Sequence, residues 1–375
     1  MKALQTGAVV GIVGGGQLGR MSAMAAARLG YRTHVLAAAP DDPACLVASG
    51  ATIGSYDNPA VLRAFAAAVE VVTFEFENVS AAGLDLLASL RPVHPSPAVL
   101  RLSQDRLLEK AFLNEAGIAT APWRAVHDRA ELAAAAAELG LPAILKTTRL
   151  GYDGRGQRRL AAPADLEAAF TALAPHPLVL EGLVDFACEI SVIVARAADG
   201  QMAAFDAVEN RHRHHILDLT LAPARIDPDL AAEARRIALH LAGRLELQGL
   251  LAIEMFVDRR GRLLVNEIAP RPHNSGHWTM DACPASQFEL HIRAVCGLPL
   301  PAPVRHSDAV MKNLVGPEAM ALWPQILAAP GLIAHHYGKT EARPGRKLGH
   351  VNRLFPRGAL PGDLGIADAL GPLAA

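Results

Sequence analysis

The first hundred residues alternate short apolar runs with longer segments whose apolar residues recur at helical spacing. The short runs are rich in valine, which favours strands, and the longer segments are rich in alanine and leucine, which favour helices. In chain order the six elements are Ala8–Val13, Leu18–Leu29, Thr33–Leu36, Pro59–Ala68, Val69–Phe74 and Ala81–Leu90. Strands that alternate with helices predict a parallel sheet with helices on its faces.

The pattern changes after the proline-rich segment Arg91–Pro97. Helical spacing over Arg101–Ala116 predicts one helix, and the capping box Asp128–Glu131 opens another at Leu132–Leu139. Later elements are the strands Ala143–Lys146, Gln157–Leu160, Leu178–Glu181 and Glu189–Ala195, the helix Asp229–Leu245, and a hairpin of Leu250–Asp258 and Arg262–Ile268. The last 75 residues are rich in proline and glycine, which predicts a small closing domain.

Composition limits the classes of function. The 375 residues suffice for two or three domains, and 36 Lys and Arg balance 37 Asp and Glu. This balance argues against bulk binding to nucleic acid or an anionic membrane. Four scattered cysteines argue against a disulfide framework or a zinc site, and no apolar run approaches the roughly 20 residues of a spanning helix. Glycines and Arg20 interrupt the apolar start before any signal-peptide cleavage pattern, so we expect a cytoplasmic protein.

A glycine-rich turn follows the first strand. Gly14, Gly16 and Gly19 have the spacing of a dinucleotide-binding turn, in which helix N–H groups face a phosphate. That fingerprint also needs an acid at the end of the second strand, and here Asp41 and Asp42 come only after Pro40. NAD binding is therefore disfavoured. The turn either receives another phosphate or packs tightly.

Lys146 ends a predicted strand, and the loop Gly151–Gln157 follows at once. Three glycines in seven residues allow the backbone N–H groups of the loop to fold over phosphate oxygens. The sequence is not a Walker loop, because no Gly-Lys-Ser/Thr follows. A plain hairpin loop is the alternative.

The hairpin places two acids opposite each other. If Arg260 and Gly261 form a two-residue turn, Glu254 and Glu267 face each other on one side of paired strands. Opposed like charges among apolar neighbours are costly, and a bound hard cation such as Mg²⁺ removes that cost. Asn266 could add an oxygen. A register slip that separates the two acids is the alternative.

Polar residues crowd two later loops. The segment Arg271–His277 follows the hairpin and offers donors suited to an anion or a polyhydroxyl compound. Gly338–His350 supplies a second cationic cluster, for which a solvated turn is the alternative. The cluster His212–His215 lacks the spacing and cysteines of a zinc site, so no zinc is expected.

Taken together, these motifs resemble the ATP-grasp superfamily, and within it the 5-(carboxyamino)imidazole ribonucleotide synthases of purine synthesis. Nearly the whole chain takes part in the resemblance. The segments that carry it are Gly14–Met21, Phe74–Asn78, Gln104–Arg106, Lys146, Gly151–Gln157, Asn266–Arg271, His273–Trp278 and Pro344–His350.

The resemblance implies a mixed α/β and α+β fold in three parts. A Rossmann-like preATP-grasp domain that binds no dinucleotide would span residues 1–100. A two-lobed ATP-grasp body would span 101–300, with a lid lobe at about 120–190. A small β-rich domain would span 301–375.

The resemblance also implies roles for individual residues. Glu254 and Glu267 would hold Mg²⁺, or Mn²⁺. The catalytic residues would be Lys146, Arg271, His273 and Asn274. ATP would contact Arg106, Lys146, Gly151, Tyr152, Asp153, Gly154, Arg155, Gly156, Gln157, Glu181, Gly182, Leu183, Val184, Glu189, His212, Asn266 and Glu267. The ribonucleotide would contact Gln17, Leu18, Glu75, Tyr152, Asp153, Arg155, Arg271, His273, Asn274, Ser275, His277, Lys339, Arg346 and Lys347, and Glu77 would line the same pocket.

The implied reaction is ATP- and bicarbonate-dependent carboxylation of the amine of 5-aminoimidazole ribonucleotide through carboxyphosphate, in a homodimer. For the amine proton, the base could be His273, Asp153 or none. Another ATP-grasp ligase, such as a formate-dependent purine ligase, is the nearest alternative; a nicotinamide oxidoreductase and a non-catalytic binding module are more distant ones. One departure concerns His214-His215, where the family carries Asp-Gly, which weakens the placement of His212 against the phosphates.

Overall fold

A computed structural model describes residues 3–149, 151 and 156–373. The helices are α1 (Gln17–Arg28), α2 (Pro59–Ala67), α3 (Ala81–Leu90), α4 (Pro97–Ser103), α5 (Arg106–Glu115), α6 (Arg129–Leu139), α7 (Leu166–Leu173), α8 (Pro228–Arg244), α9 (Thr279–Ala282), α10 (Gln287–Val295), α11 (Gly316–Ala321), α12 (Trp323–Ala328) and α13 (Asp363–Leu370). Across the described ranges, no helix is long and apolar enough to cross a membrane.

The strands form three sheets. They are β1 (Val9–Val13), β2 (Arg32–Ala37), β3 (Gly50–Ile53), β4 (Val71–Phe74), β5 (Trp123–Val126), β6 (Ala143–Thr147), β7 (Gln157–Leu160), β8 (Leu178–Gly182), β9 (Phe186–Arg196), β10 (Met202–Ala204), β11 (Val208–Arg213), β12 (Ile216–Ala222), β13 (Gly249–Asp258), β14 (Leu263–Ala269), β15 (Ser307–Val315), β16 (Leu332–His336) and β17 (Lys347–Pro356).

The first sheet is parallel and has the order β3–β2–β1–β4, which confirms the predicted parallel sheet. Residues of α2 and α3, such as Phe65 and Leu84, pack with Val13 on one face. Residues of α1 and α10 pack with Val10 on the other face. The edge strand β3 was not predicted, because its residues are only partly buried and form no apolar run. The carboxyl ends of β1 and β4 bring the glycine turn beside the segment that follows Phe74.

The second sheet has nine antiparallel strands, with the main path β14–β13–β9–β11–β12–β15–β17–β16 and β10 added beside β9. Helix α8 covers one face of β9 and β13, and α10 covers the other. The last three strands of the path come from the segment after residue 300, so the expected closing domain continues this sheet. The third sheet, β5–β8–β6–β7, is covered by α6 and α7 and carries the glycine loop between β6 and β7.

The single helix predicted over Arg101–Ala116 is wrong, because the chain breaks between α4 and α5. Asp105 takes the N-cap position of α5, and its carboxylate accepts hydrogen bonds from the N–H groups of Leu107 and Leu108. Asp favours this position over a helix interior because its side chain satisfies N–H groups that have no partner within the helix. The break places Arg106 in the first turn of α5.

The turn between β11 and β12 is strained. Arg213 pairs with Ile216, so His214 and His215 alone form the turn, and their φ angles are 51° and 65°. A two-residue turn of this type favours Asn-Gly or Asp-Gly. The left-handed region has a conformational free-energy cost of about 1–2 kcal/mol for each residue with a β-carbon.

Replacing His214→Asn together with His215→Gly is therefore expected to raise the free energy of unfolding by about 1–2 kcal/mol. The urea midpoint at constant m-value measures the change. In the matched control, His214→Ala with His215→Ala keeps both β-carbons and should bring no comparable gain. An equal gain in both variants would show that backbone strain is not the cause.

Candidate active site

The hairpin β13–β14 places Glu254 directly opposite Glu267, as predicted. The predicted two-residue turn is wrong, because Asp258 pairs with Arg262 and three residues form the turn. Gly261, with φ of +73°, closes it. A bulge at Asn266 then shifts the register by one residue and restores the pairing of the two acids. The extra turn residue shifts the strand register by one, and the bulge shifts it back. The prediction missed both, so the predicted pairing of the two acids is still correct.

Each acid of the pair has a cationic or N–H partner. His273 Nε2 lies 2.9 Å from Glu254 Oε1, and Arg106 Nη1 lies 3.1 Å from Glu267 Oε2. Burial acts to raise the pKa of Glu254, but the hydrogen bond with His273 and nearby positive charges outweigh it and lower the pKa to about 2. Glu254 is therefore ionised at neutral pH.

Two opposed carboxylates fit a hard cation such as Mg²⁺. Among the described residues, no group of three or more His, Cys, Asp or Glu side chains could hold a metal ion. A cation at Glu254 and Glu267 therefore needs further oxygen ligands, which phosphate groups and water supply in typical Mg²⁺ sites.

The first turn of α5 supports this pair. Arg106 Nη2 also donates to the carbonyl of Gly151 at 3.1 Å, which ties the start of the glycine loop to Glu267. Glu109 accepts a hydrogen bond from Ile268 N at 2.5 Å. Burial, together with the negative charge of Glu267, raises the pKa of Glu109 to about 8. Glu109 is thus mostly protonated at neutral pH and adds little negative charge.

Two lysines share one buried carboxylate in the cleft between the lobes. Lys146 Nζ lies 2.9 Å from Glu181 Oε2, and Lys110 Nζ lies 3.3 Å from Glu181 Oε1. Burial acts to raise the pKa of Glu181, but the charges of Lys146 and Lys110 lower it to about 2. The cluster therefore carries an excess of one positive charge, which suits a nearby phosphate.

The other side of the cleft holds an ion pair between Glu189 of β9 and His212 of β11. Burial acts to lower the pKa of His212, but the hydrogen bond with Glu189 outweighs it and raises the pKa. Beside this pair, Phe186 stacks on Phe256 with 5.0 Å between ring centroids. Leu183 and Phe186 both expose much of their apolar side chains.

The N-terminal glycine turn binds a carboxyl group of the protein itself. The N–H groups of Gly16 and Gly19 donate to the two oxygens of Glu75, the latter at 2.6 Å. These N–H groups face the place where a dinucleotide phosphate would lie. Burial raises the pKa of Glu75, and the two N–H groups oppose that rise. The nearby charges of Lys339 and Arg271 oppose it as well.

Arg271 joins the N-terminal domain to the hairpin. Its Nη2 lies 2.5 Å from Glu77 Oε1, and its Nη1 donates to the carbonyl of Pro272 at 2.9 Å. Its Nε is buried without a hydrogen-bond partner in the described part of the chain. Burial acts to lower the pKa of Arg271, but the negative charges of Glu77, Glu267 and Glu254 outweigh it and raise the pKa. An unpaired buried donor of this kind suits an incoming anion.

Hydrogen bonds to other protein groups hold the remaining residues of the segment Arg271–His277. Asn274 and Asn313 exchange amide hydrogen bonds of 3.0 and 2.8 Å. Ser275 and His277 are 0% and 1% exposed. The hydroxyl of Ser275 and Nδ1 of His277 have protein partners. The structure therefore places Ser275 and His277 behind the cleft surface, where they support the loop.

The C-terminal cluster lies against the same region. Lys339 Nζ donates to the carbonyl of Lys347 at 2.8 Å and lies 5.9 Å from the ring centroid of Tyr337. Burial, and then the charges of Arg346 and Lys347, lower the pKa of Lys339 to about 8, while Glu75 acts to raise it. Residues from three distant parts of the chain thus meet around Glu75 and Arg271.

Comparison with known proteins decides the family. The ribonucleotide synthetase preATP-grasp domain matches residues 8–104, the ATP-grasp domain 111–288, and the phosphoribosylaminoimidazole carboxylase C-terminal domain 309–358. An N5-carboxyaminoimidazole ribonucleotide synthase of Brucella melitensis is 51% identical over 356 residues, which are 94% of this chain and 98% of that protein. This chain belongs to the N5-carboxyaminoimidazole ribonucleotide synthase family.

Solved structures of the N5-carboxyaminoimidazole ribonucleotide synthase family share the whole fold. The Staphylococcus aureus N5-carboxyaminoimidazole synthetase complexed with ADP superposes with a TM-score of 0.94 at 36% identity, over 100% of this chain and 99% of that one. The Aspergillus clavatus enzyme in complex with ADP and 5-aminoimidazole ribonucleotide gives 0.91 at 32% identity, over 98% of both chains. These matches confirm the resemblance and the predicted mixed fold. The domain boundaries near residues 100 and 300 stay predictions.

Contacts and charge interactions link many of the residues to which the family resemblance assigned a role, although their contacts with ligands stay predictions. Four of them, Tyr152, Asp153, Gly154 and Arg155, lie outside the described residues. Sequence reasoning missed Glu109 and Lys110. Both are charged residues on the buried face of α5. Charged residues at positions that helical spacing assigns to the buried face are unusual, so this pattern could have identified them.

Proposed function

We propose that this protein uses ATP and bicarbonate to carboxylate the exocyclic amine of 5-aminoimidazole ribonucleotide, in purine synthesis. One observation carries the proposal most directly. Arg271 lies between Glu77, on the side of the N-terminal turn and C-terminal lysines, and the paired acids Glu254 and Glu267 on the nucleotide side. In this proposal, a group transferred from ATP to the ribonucleotide would pass Arg271.

In the first step, an oxygen of bicarbonate attacks the γ-phosphorus of ATP and the bond to the ADP oxygen breaks, which yields carboxyphosphate. The residues contribute charge and position rather than covalent chemistry. Lys146 offsets phosphate charge from the cleft side, and Arg271 offers its unpaired Nε–H to the transferring group. Mg²⁺ held by Glu254 and Glu267 would supply electrostatic stabilisation of the phosphates when bound, and Mn²⁺ could replace it.

In the second step, the amine of the ribonucleotide attacks the carboxyl carbon, phosphate leaves, and the amine loses a proton. Carboxyphosphate is labile in water, so the glycine loop would exclude solvent as a lid. The ribonucleotide phosphate would meet Lys339, Arg346 and Lys347. The chain would act as a cytoplasmic homodimer, which size-exclusion chromatography with light scattering can test.

The pH dependence of the reaction tests the place of Lys339. Its pKa of about 8 means that Lys339 loses its charge as the pH rises through that value. We expect kcat/KM for the ribonucleotide to fall above about pH 8, because the phosphate then meets one positive charge fewer. Lys339→Arg stays charged and should remove that fall. A profile that is the same in both proteins would place Lys339 away from the phosphate.

The decisive experiment measures ADP release in bicarbonate, with and without 5-aminoimidazole ribonucleotide. Release that depends on the ribonucleotide, with carbon from labelled bicarbonate in the product, is the expected result. Release that is indifferent to the ribonucleotide would undo the substrate assignment. Activity with formate in place of bicarbonate would favour a formate-dependent ligase.

A further inference from the structure

The ring of His273 is held at both nitrogens. Nε2 lies 2.9 Å from Glu254 Oε1, and Nδ1 lies 2.8 Å from the hydroxyl oxygen of Ser275. The backbone N–H of Ser275 also donates to Nδ1, with 3.3 Å between the two nitrogens. A backbone N–H can only donate, so this long contact favours a lone pair on Nδ1. The ring proton is then on Nε2 and points at Glu254.

A longer series of hydrogen bonds, which starts at Thr220 and ends at His273, has the matching direction. With Nδ1 an acceptor, the hydroxyl of Ser275 donates to it, so the Ser275 oxygen accepts from Ser191 at 2.7 Å. The Ser191 oxygen accepts from the amide nitrogen of Asn210 at 2.9 Å, and the Asn210 oxygen accepts from Thr220 at 3.0 Å. Each hydrogen in this relay therefore points toward His273.

The relay is buried and crosses neighbouring strands. Ser191 lies on β9, Asn210 on β11 and Thr220 on β12, and these strands are adjacent in the sheet. Ser191, Thr220 and Ser275 are 0% exposed. In a buried polar network, reversing one bond leaves two donors or two acceptors facing each other, which costs about 1–3 kcal/mol. The sheet thus resists reversal of any single bond.

We propose that this relay fixes His273 as the Nε2–H tautomer, so that His273 donates a hydrogen bond from Nε2 and its Nδ1 lone pair, which Ser275 occupies, does not serve as the base for the amine proton. The tautomer follows from the contacts alone, whereas its part in the reaction rests on the proposed function. Ser275, Ser191, Asn210 and Thr220 are positioning residues, because they act through His273.

The Asn210→Asp variant tests the relay by replacing its amide donor with an acceptor of the same shape. The carboxylate would accept from both Ser191 and Thr220, so the Ser191 and Ser275 hydroxyls would turn round. His273 Nδ1 would then gain a proton. We also expect ribonucleotide-dependent ADP formation to fall about 10- to 100-fold, the range seen when groups that orient a ligand are lost.

Nitrogen NMR of the full chain labelled with ¹⁵N-histidine reports the tautomer directly, and His273→Asn identifies the His273 signals by difference. In the wild type, Nδ1 should resonate in the unprotonated range and Nε2 in the protonated range. In Asn210→Asp, Nδ1 should move to the protonated range. A wild-type ring protonated on Nδ1 would overturn the proposal.

Further variants cover the case in which Asn210→Asp does not fold. Ser191→Ala breaks the relay without adding charge. The long contact from the Ser275 N–H then favours the Nε2–H tautomer without fixing it, so the variant should give a mixture of tautomers. Thr220→Ser keeps the last hydroxyl and should retain the wild-type spectrum, whereas Thr220→Val should not. An unchanged His273 spectrum in Ser191→Ala would overturn the relay. Because the spectra need no substrate, an intact tautomer in a protein without ribonucleotide-dependent turnover would count against the proposed function alone.

Discussion

Glu267→Gln is expected to abolish ribonucleotide-dependent release of ADP while the protein stays folded. Glutamine has the shape of glutamate but removes the negative charge of one of the two carboxylates that are paired across the hairpin. The loss should be at least about 100-fold, because groups that merely orient metal ligands already account for 10- to 100-fold. Glu267 is 40% exposed and Arg106 keeps its bond to Gly151, so the fold should tolerate the change.

Rates of ADP formation over a range of Mg²⁺ concentrations measure this effect, with circular dichroism to check folding. We expect the variant to need more Mg²⁺ for half its maximal rate. A matched control is Glu233→Gln on the exposed part of α8, which should retain wild-type rates. Near-normal turnover in Glu267→Gln would remove the magnesium assignment. A loss that Mg²⁺ does not influence would point to the pairing with Arg106 instead.

Lys146→Met is expected to weaken ATP binding and slow turnover, with a combined loss in kcat/KM for ATP of about 100-fold or more. Of the three charges at Glu181, the variant leaves one of each sign. The buried cluster then has no net positive charge to offset a phosphate. The protein should still fold, because Lys110 remains 3.3 Å from the carboxylate and prevents an unpaired buried charge.

Steady-state kinetics and calorimetric titration with ATP measure the two parts of this loss. Lys110→Met is the matched comparison, because it removes the same net charge but leaves Lys146 beside Glu181. Lys110 is 1% exposed, so it does not reach the cleft, and its loss should cost clearly less. Equal losses in the two variants would show that the net charge of the cluster matters and the position of Lys146 does not.

The parts of the fold with strong local signals were predictable. The apolar runs of β1 and β4 and the helical spacing of α2 and α3 defined the parallel sheet. The pairing of Glu254 with Glu267 was also predicted, although through a turn that is one residue too short. Local spacing therefore found the site but not the bulge that positions it, since a bulge depends on packing across strands.

Other features depend on residues that are distant in sequence. Ser191, Asn210 and Thr220 have the composition of ordinary strand residues, and only strand order brings them together. The glycine turn left two interpretations open because its partner, Glu75, is 56 residues beyond Gly19. The strands β15 and β17 at the end of the sheet were not predicted for a different reason. They lie in a segment whose many prolines and glycines obscure the apolar pattern of the strands.

The bond between Glu75 and the glycine turn has a consequence for selectivity among the metabolites of the cell. A side chain tethered beside a binding site competes as an internal ligand, and its effective concentration is commonly on the order of millimolar or more. A free dinucleotide would have to displace Glu75 and leave a buried carboxyl group without its two N–H donors. We therefore expect the turn not to bind the dinucleotide phosphates that its glycine spacing suggests. Changes in the cellular concentration of dinucleotides should then have little effect on this protein.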